Sequence, residues 1–317
     1  MTNDTSAATN KKLAEIFGRM NLSELPAMSN HVSELLVLTR KSRVTAGELA
    51  RVILKDFSLT NKVLQVVNSA YYSRGVPVTT IERAVTALGI EVIGELAVTV
   101  SLIEEFLKAG VEKEGISKLL SLSFLSAHLS KNLAQRKRLP VMPEEAYICT
   151  LLHDLGRVVI FIYLPHVYRR IDMAVQGGST EETMSRLMLK GLSFAEVGME
   201  IARFWNFSET IVRSMASAPE PLDNQAPPER YLQHLALFSN RFTREIAAKR
   251  HPAAVALLHD YAGHFRLDDC HEPLDILLKT SEMATGVSEI IRYGMTRLKM
   301  RSRLLGALST CRKLAAA

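Results

Sequence analysis

The sequence predicts an all-α protein. Its apolar residues recur at helical spacing with no sustained alternation of period two, and its helix starts carry capping pairs. Of 317 residues, 47% are hydrophobic, enough for the core of one large or two modest domains. Leu49, Val52 and Ile53, then Leu59, Val63, Leu64 and Val67, mark two early helices with one apolar stripe each. Thr45 with Glu48, Thr79 with Glu82, Ser179 with Glu182 and Ser193 with Glu196 fit the capping box, in which two side chains satisfy first-turn amides. Gly89, Gly110 and Gly191 are expected helix stops. Short helices and brief loops favour globular helix packing over a coiled coil.

The expected organisation is a tail over 1–20, a first helical lobe over 21–112, a second over 113–245 and a helical extension over 246–317. Residues 225–229, with two prolines, form the clearest internal loop, and 1–10 a loose tail. The most apolar run, 146–165, contains His153, Asp154 and Arg157, so it reads as a buried helix rather than a membrane span. Cys149, Cys270 and Cys311 make no close-spaced metal motif and the polar opening resembles no signal peptide, so a cytoplasmic setting is expected. The net charge of +6 is diffuse, which argues against a nucleic-acid partner. Basic residues gather at 136–138 and again from 292 to 313, where a solvated helix face is the plain explanation.

His153 and Asp154 are the best chemical clue. Inside an apolar helix, two ionisable groups cost several kcal/mol unless they are paired or bind metal. They are therefore either a satisfied core pair, bonded to each other or to nearby backbone, or part of a metal site completed from neighbouring helices. A second pair, His259 and Asp260, precedes His264, Asp268, Asp269, Cys270 and His271; an exposed polar loop is the expected setting, with zinc as the alternative. Asn68, Ser69, Tyr71 and Tyr72 form a small-residue turn after an apolar helix, read as a cap and a junction between the lobes or as a partner surface. Trp205 is expected in the core.

Leu25-Pro26-Ala27-Met28, then the segment from Asp56 through Asn68-Ser69-Ala70-Tyr71-Tyr72, then Ile81-Glu82-Arg83-Ala84-Val85 and Leu88-Gly89 resemble, in that order, the HD-related output domain (HDOD). Leu152-His153-Asp154-Leu155-Gly156, Gly191, Glu196-Val197-Gly198 and Trp205 continue the resemblance, which spans about 22–215. The departures are Phe57, where the family often has Pro, and Phe194, where it commonly has His. The resemblance implies a globular, multi-helix HD-like fold of two closely packed lobes. It also implies a signalling relative of the HD phosphohydrolases, whose metal cage uses a first His, the His-Asp pair and a late Asp. Aligned through Leu133-Ala134, the first His position falls on Leu122, with His128 roughly half a turn off that face of the helix, and the late Asp position falls on Leu237. Two ligands remain where such sites take three from the protein, so the pair is expected to be structural or vestigial.

Three functions are thus in view. The first is a non-catalytic regulatory module that contacts signalling proteins, with no cofactor and with a nucleotide as the small ligand left open. The second is a phosphohydrolase with a divalent metal at His153 and Asp154, acting on nucleotides or cyclic dinucleotides. The third is a DNA-binding regulator using segments 47–52 and 58–63 as two helices around a turn; Val63, Leu64, Val66 and Val67 suit packing better than base contact.

Overall fold

In a computed structural model, the described residues are 44–55, 57–68, 78–90, 112–204, 207–223, 225–284 and 288–315, with single positions within 34–38 and 93–101. They form fifteen helices, and no strand occurs among them. In the first lobe α1 (Ala46–Ile53) starts at Thr45, whose hydroxyl accepts from the Glu48 amide while the Glu48 carboxylate accepts from the Thr45 amide. This is the capping box read from the sequence. Helix α2 (Phe57–Val67) gives Leu59, Val63 and Val67 to the core and leaves Lys62 exposed. Helix α3 (Ile81–Leu88) is capped by Thr80, one residue after the expected Thr79, and ends at Gly89 with φ 93°.

The second lobe is built around α4 (Lys113–Arg136), which packs on α5 (Pro143–Leu152), α11 (Pro228–Ala247), α13 (His271–Met283) and α14 (Glu289–Arg297). Such crowding requires small residues. Ser117, Ser121, Ser123, Ser126 and Ser130 of α4 are buried, the Ser121 hydroxyl donates to the Ile291 carbonyl, and a Cβ on Gly294 would collide with Ser117 and Ser121. Helices α6 (Leu155–Tyr163), α7 (Pro165–Gln176), α8 (Glu181–Met188), α9 (Phe194–Phe204) and α10 (Glu209–Ser214) follow α5. The start of α8 is at Thr180 rather than Ser179, whereas the Ser193 and Glu196 pair forms its reciprocal bonds as read. Both displaced caps have a second capping residue next to the expected one, and the residue with extended backbone takes the role.

In the C-terminal extension, α12 (His251–Phe265) and α13 precede α14 and α15 (Met300–Ala315). Cys270, at the start of α13, is joined in a disulfide to Cys311 of α15, with Cα atoms 6.3 Å apart across 41 residues. Spacing alone does not reveal such a pairing. Cys149 is a buried free thiol. The stretch Glu145–Tyr163 is long and apolar enough to cross a membrane by composition, yet 78% of it is buried within the protein. Buried residues of both lobes and of the extension belong to one continuous core.

Candidate functional site

The His-Asp pair sits at a helix break rather than inside one helix, which corrects the sequence reading. His153 is the C-cap that follows α5, and Asp154, with φ −92° and ψ 18°, precedes α6. The break turns the two side chains toward different partners. His153 Nδ1 donates to the Ser214 carbonyl at the end of α10, 2.7 Å away, because a carbonyl can only accept. Burial holds the imidazole pKa below its ordinary value, so His153 is neutral.

Asp154 is held by arginine. Arg244 of α11 places Nη1 3.1 and 3.2 Å from the two carboxylate oxygens, and Arg157 Nε lies 3.7 Å from one of them. Burial alone would raise the Asp154 pKa, but the Arg244 and Arg157 charges outweigh it and keep it below the ordinary value. The other end of the Arg157 guanidinium pairs with Glu181 of α8, and its central carbon lies 4.9 Å from the centre of the Phe194 ring. Burial opposes ionisation of Glu181 as well, yet the Arg157 and Arg244 charges lower its pKa to about 2. One partly buried charge cluster thereby ties α6, α8, α9 and α11 together. Gly156, within the same turn, lets α6 and α9 touch backbone to backbone. A Cβ there would overlap the Phe194 carbonyl oxygen and the Gly198 amide.

A divalent metal fits these residues poorly. Asp154 is committed to two guanidinium groups, and a divalent cation on the same carboxylate would face their positive charge. Among the described residues no three His, Cys, Asp or Glu side chains are grouped to hold an ion. Leu122 of α4 is half-buried against the apolar core and Leu237 of α11 is buried, and an alkyl group has no lone pair to offer. On α11, Leu237 shares a helical face with Asn240 and Arg244. The Asn240 amide donates to the Thr150 carbonyl of α5, 3.0 Å away.

His128 is buried between the rings of Phe124 and Tyr147, with centroids 4.5 and 5.1 Å away. Burial, aided by the Lys131 charge, pushes its pKa down to about 3. Its folded pKa lies below the unfolded value of about 6.5, so neutral His128 contributes its full stability above that value. The contribution falls as pH drops from about 6.5 towards 3, by up to about 1.4 kcal/mol per pH unit. Chemical denaturation at pH 6.5 and pH 5 should therefore show His128→Phe losing about 2 kcal/mol less than the wild type. Equal losses in the two proteins would remove His128 from the acid response.

The second His-Asp pair is helical, not part of a loop. His259, Asp260 and His264 lie exposed on α12, while Asp268 and Asp269 occupy the exposed turn that follows. Asp269 accepts from the His271 amide and Cys270 is in the disulfide, so neither points to zinc. Asn68 closes the loop after α2. Its amide donates to the Leu64 and Val78 carbonyls at 2.9 and 2.7 Å, and its oxygen accepts from the Val78 amide at 2.7 Å. Those bonds lie within the first lobe. Ser69, Tyr71, Tyr72 and Trp205 fall outside the described residues.

The HDOD domain family model matches residues 25–221, and the chain belongs to that family. Solved structures share its fold. An HDOD domain protein of unknown function from Geobacter sulfurreducens is 21% identical, with a TM-score of 0.68 over 92% of this chain and 98% of that one. A candidate phosphohydrolase from Shewanella amazonensis SB2B is 24% identical, with a TM-score of 0.64 over 93% and 98%. A candidate signal transduction protein from Marinobacter aquaeolei VT8 is 18% identical, with a TM-score of 0.63 over 95% and 67%. An uncharacterised protein of Treponema pallidum (strain Nichols) is 21% identical over 207 residues, which is 65% of this chain and 39% of that relative. The chain thus spans about two-fifths of the length of this curated relative.

Proposed function

We propose that this chain is a non-catalytic signal-transduction module that works through contacts with signalling proteins. The observation that carries the reading is the Arg244 guanidinium on both oxygens of Asp154, at the carboxylate that a metal would need. A fixed cation of the protein replaces an exchangeable one, and the pair becomes part of the core. Fold alone does not choose between signalling and hydrolysis.

One feature favours the hydrolase alternative. With its proton on Nδ1, neutral His153 keeps a lone pair on Nε2, the arrangement of a metal-ligating imidazole. The discriminating experiment incubates the protein with Mn²⁺ or Mg²⁺ and with nucleotides and cyclic dinucleotides. No metal-dependent turnover is expected. Turnover that disappears in both His153→Ala and Asp154→Ala would replace the signalling reading with the hydrolase.

A further inference from the structure

We infer that the cleft between α13, α14 and α15 binds a phosphorylated ligand of nucleotide size, with its phosphates on Arg292, Lys299 and Arg301 and its ring on an apolar floor. Charge segregation is the first ground. From residue 290 to the end the chain carries seven Lys and Arg and no Asp or Glu, while the preceding 289 residues carry 32 basic against 33 acidic residues. The net positive charge of the protein therefore resides in this one segment, beyond the family match that ends at residue 221, which corrects the reading of that charge as diffuse.

Shape is the second ground. Arg292, Lys299 and Arg301 line a cleft of about 690 Å³ whose other walls include Met295, Met300 and Leu305. That volume falls within the range of small-ligand sites, which combine an apolar surface with a few polar anchors. Met295 and Met300 are buried, whereas Leu305 is 47% exposed, a large apolar side chain left open beside cations. Glu282 is the acidic residue in the lining. Internal pairing satisfies the arginines only weakly: Arg301 Nε is 3.5 Å from Glu282 and Arg292 Nη2 is 3.7 Å from Glu289, all four side chains being more than half exposed. A phosphate group offers each guanidinium a shorter, charge-assisted bond. The cleft is open to solvent, and its apolar floor favours a small molecule with a ring over the backbone of a nucleic acid, which needs no such floor.

The test titrates the full chain with fluorescent N-methylanthraniloyl-ATP, followed by anisotropy, with unlabelled ATP, AMP and a 20-base single-stranded DNA as competitors. ATP should compete better than AMP, since more phosphate charge meets more cations, and binding should weaken as salt is raised. Arg292→Glu with Arg301→Glu should weaken binding about tenfold or more. Arg292→Gln with Arg301→Gln provides a milder pair, with folding of both checked by circular dichroism. Absence of probe binding, binding unaltered in the folded Gln pair, or competition by DNA but not by ATP would each overturn the assignment, the last in favour of a nucleic-acid surface.

Discussion

Gly156→Ala is expected to destabilise the protein by about 3 kcal/mol, at the upper end of the usual penalty for overpacking. The added methyl would meet the Phe194 carbonyl and the Gly198 amide. Both are backbone groups of a packed helix, so neither can swing aside as a side-chain tip would. Relief requires α6 and α9 to separate, which would also loosen the contact between Arg157 and the Phe194 ring. Denaturant unfolding of the variant measures the effect directly. A loss below about 0.5 kcal/mol, the range of ordinary surface substitutions, would show that the two helices do not meet at this point in solution.

Arg244→Met is expected to cost about 2 to 4 kcal/mol near neutral pH, because it leaves a buried carboxylate with only the more distant Arg157 as a cationic partner. The loss should depend on pH in a defined direction. In the wild type the Asp154 pKa is depressed on folding, so its contribution is fully present above the unfolded value of about 3.9 and is lost as pH falls through the lower folded value. Without Arg244 that depression shrinks or reverses. The stability gap between wild type and variant should therefore be widest above the carboxylate range and narrow on acidification. Combining Arg244→Met with Asp154→Asn removes the charge as well as its partner, and a double-mutant cycle should return a coupling above about 1 kcal/mol. Additive losses, or a gap that widens in acid, would mean that the two groups do not depend on each other.

The parts of the structure that were legible in the sequence are local. The Thr45 and Ser193 caps, the stop at Gly89 and the apolar stripe of α2 each depend on residues within one or two turns, where spacing is geometry. His153 and Asp154 stood out for the same reason, since two ionisable side chains in an apolar run need partners. The partners themselves were not legible. Ser214 arrives from 61 residues away and Arg244 from 90 residues away, on helices whose facing sides are fixed only by packing. The Arg244 position has one indirect signal: it lies two turns along α11 from Leu237, the residue at the late Asp position. The helix break at the pair leaves no mark in the sequence because apolar content is continuous across it, and the disulfide leaves none because its cysteines lie 41 residues apart.

With Arg244 on both oxygens of Asp154 in place of a metal ion, thermal unfolding should not respond to added divalent metal. A site with a dissociation constant of about 10 µM would gain about 2.7 kcal/mol at 1 mM free metal, a shift of several degrees. The same Tm, within about one degree, is expected in chelator and in 1 mM Mn²⁺ or Mg²⁺. A saturable rise of several degrees that vanishes in Asp154→Ala would instead put a metal ion on this carboxylate.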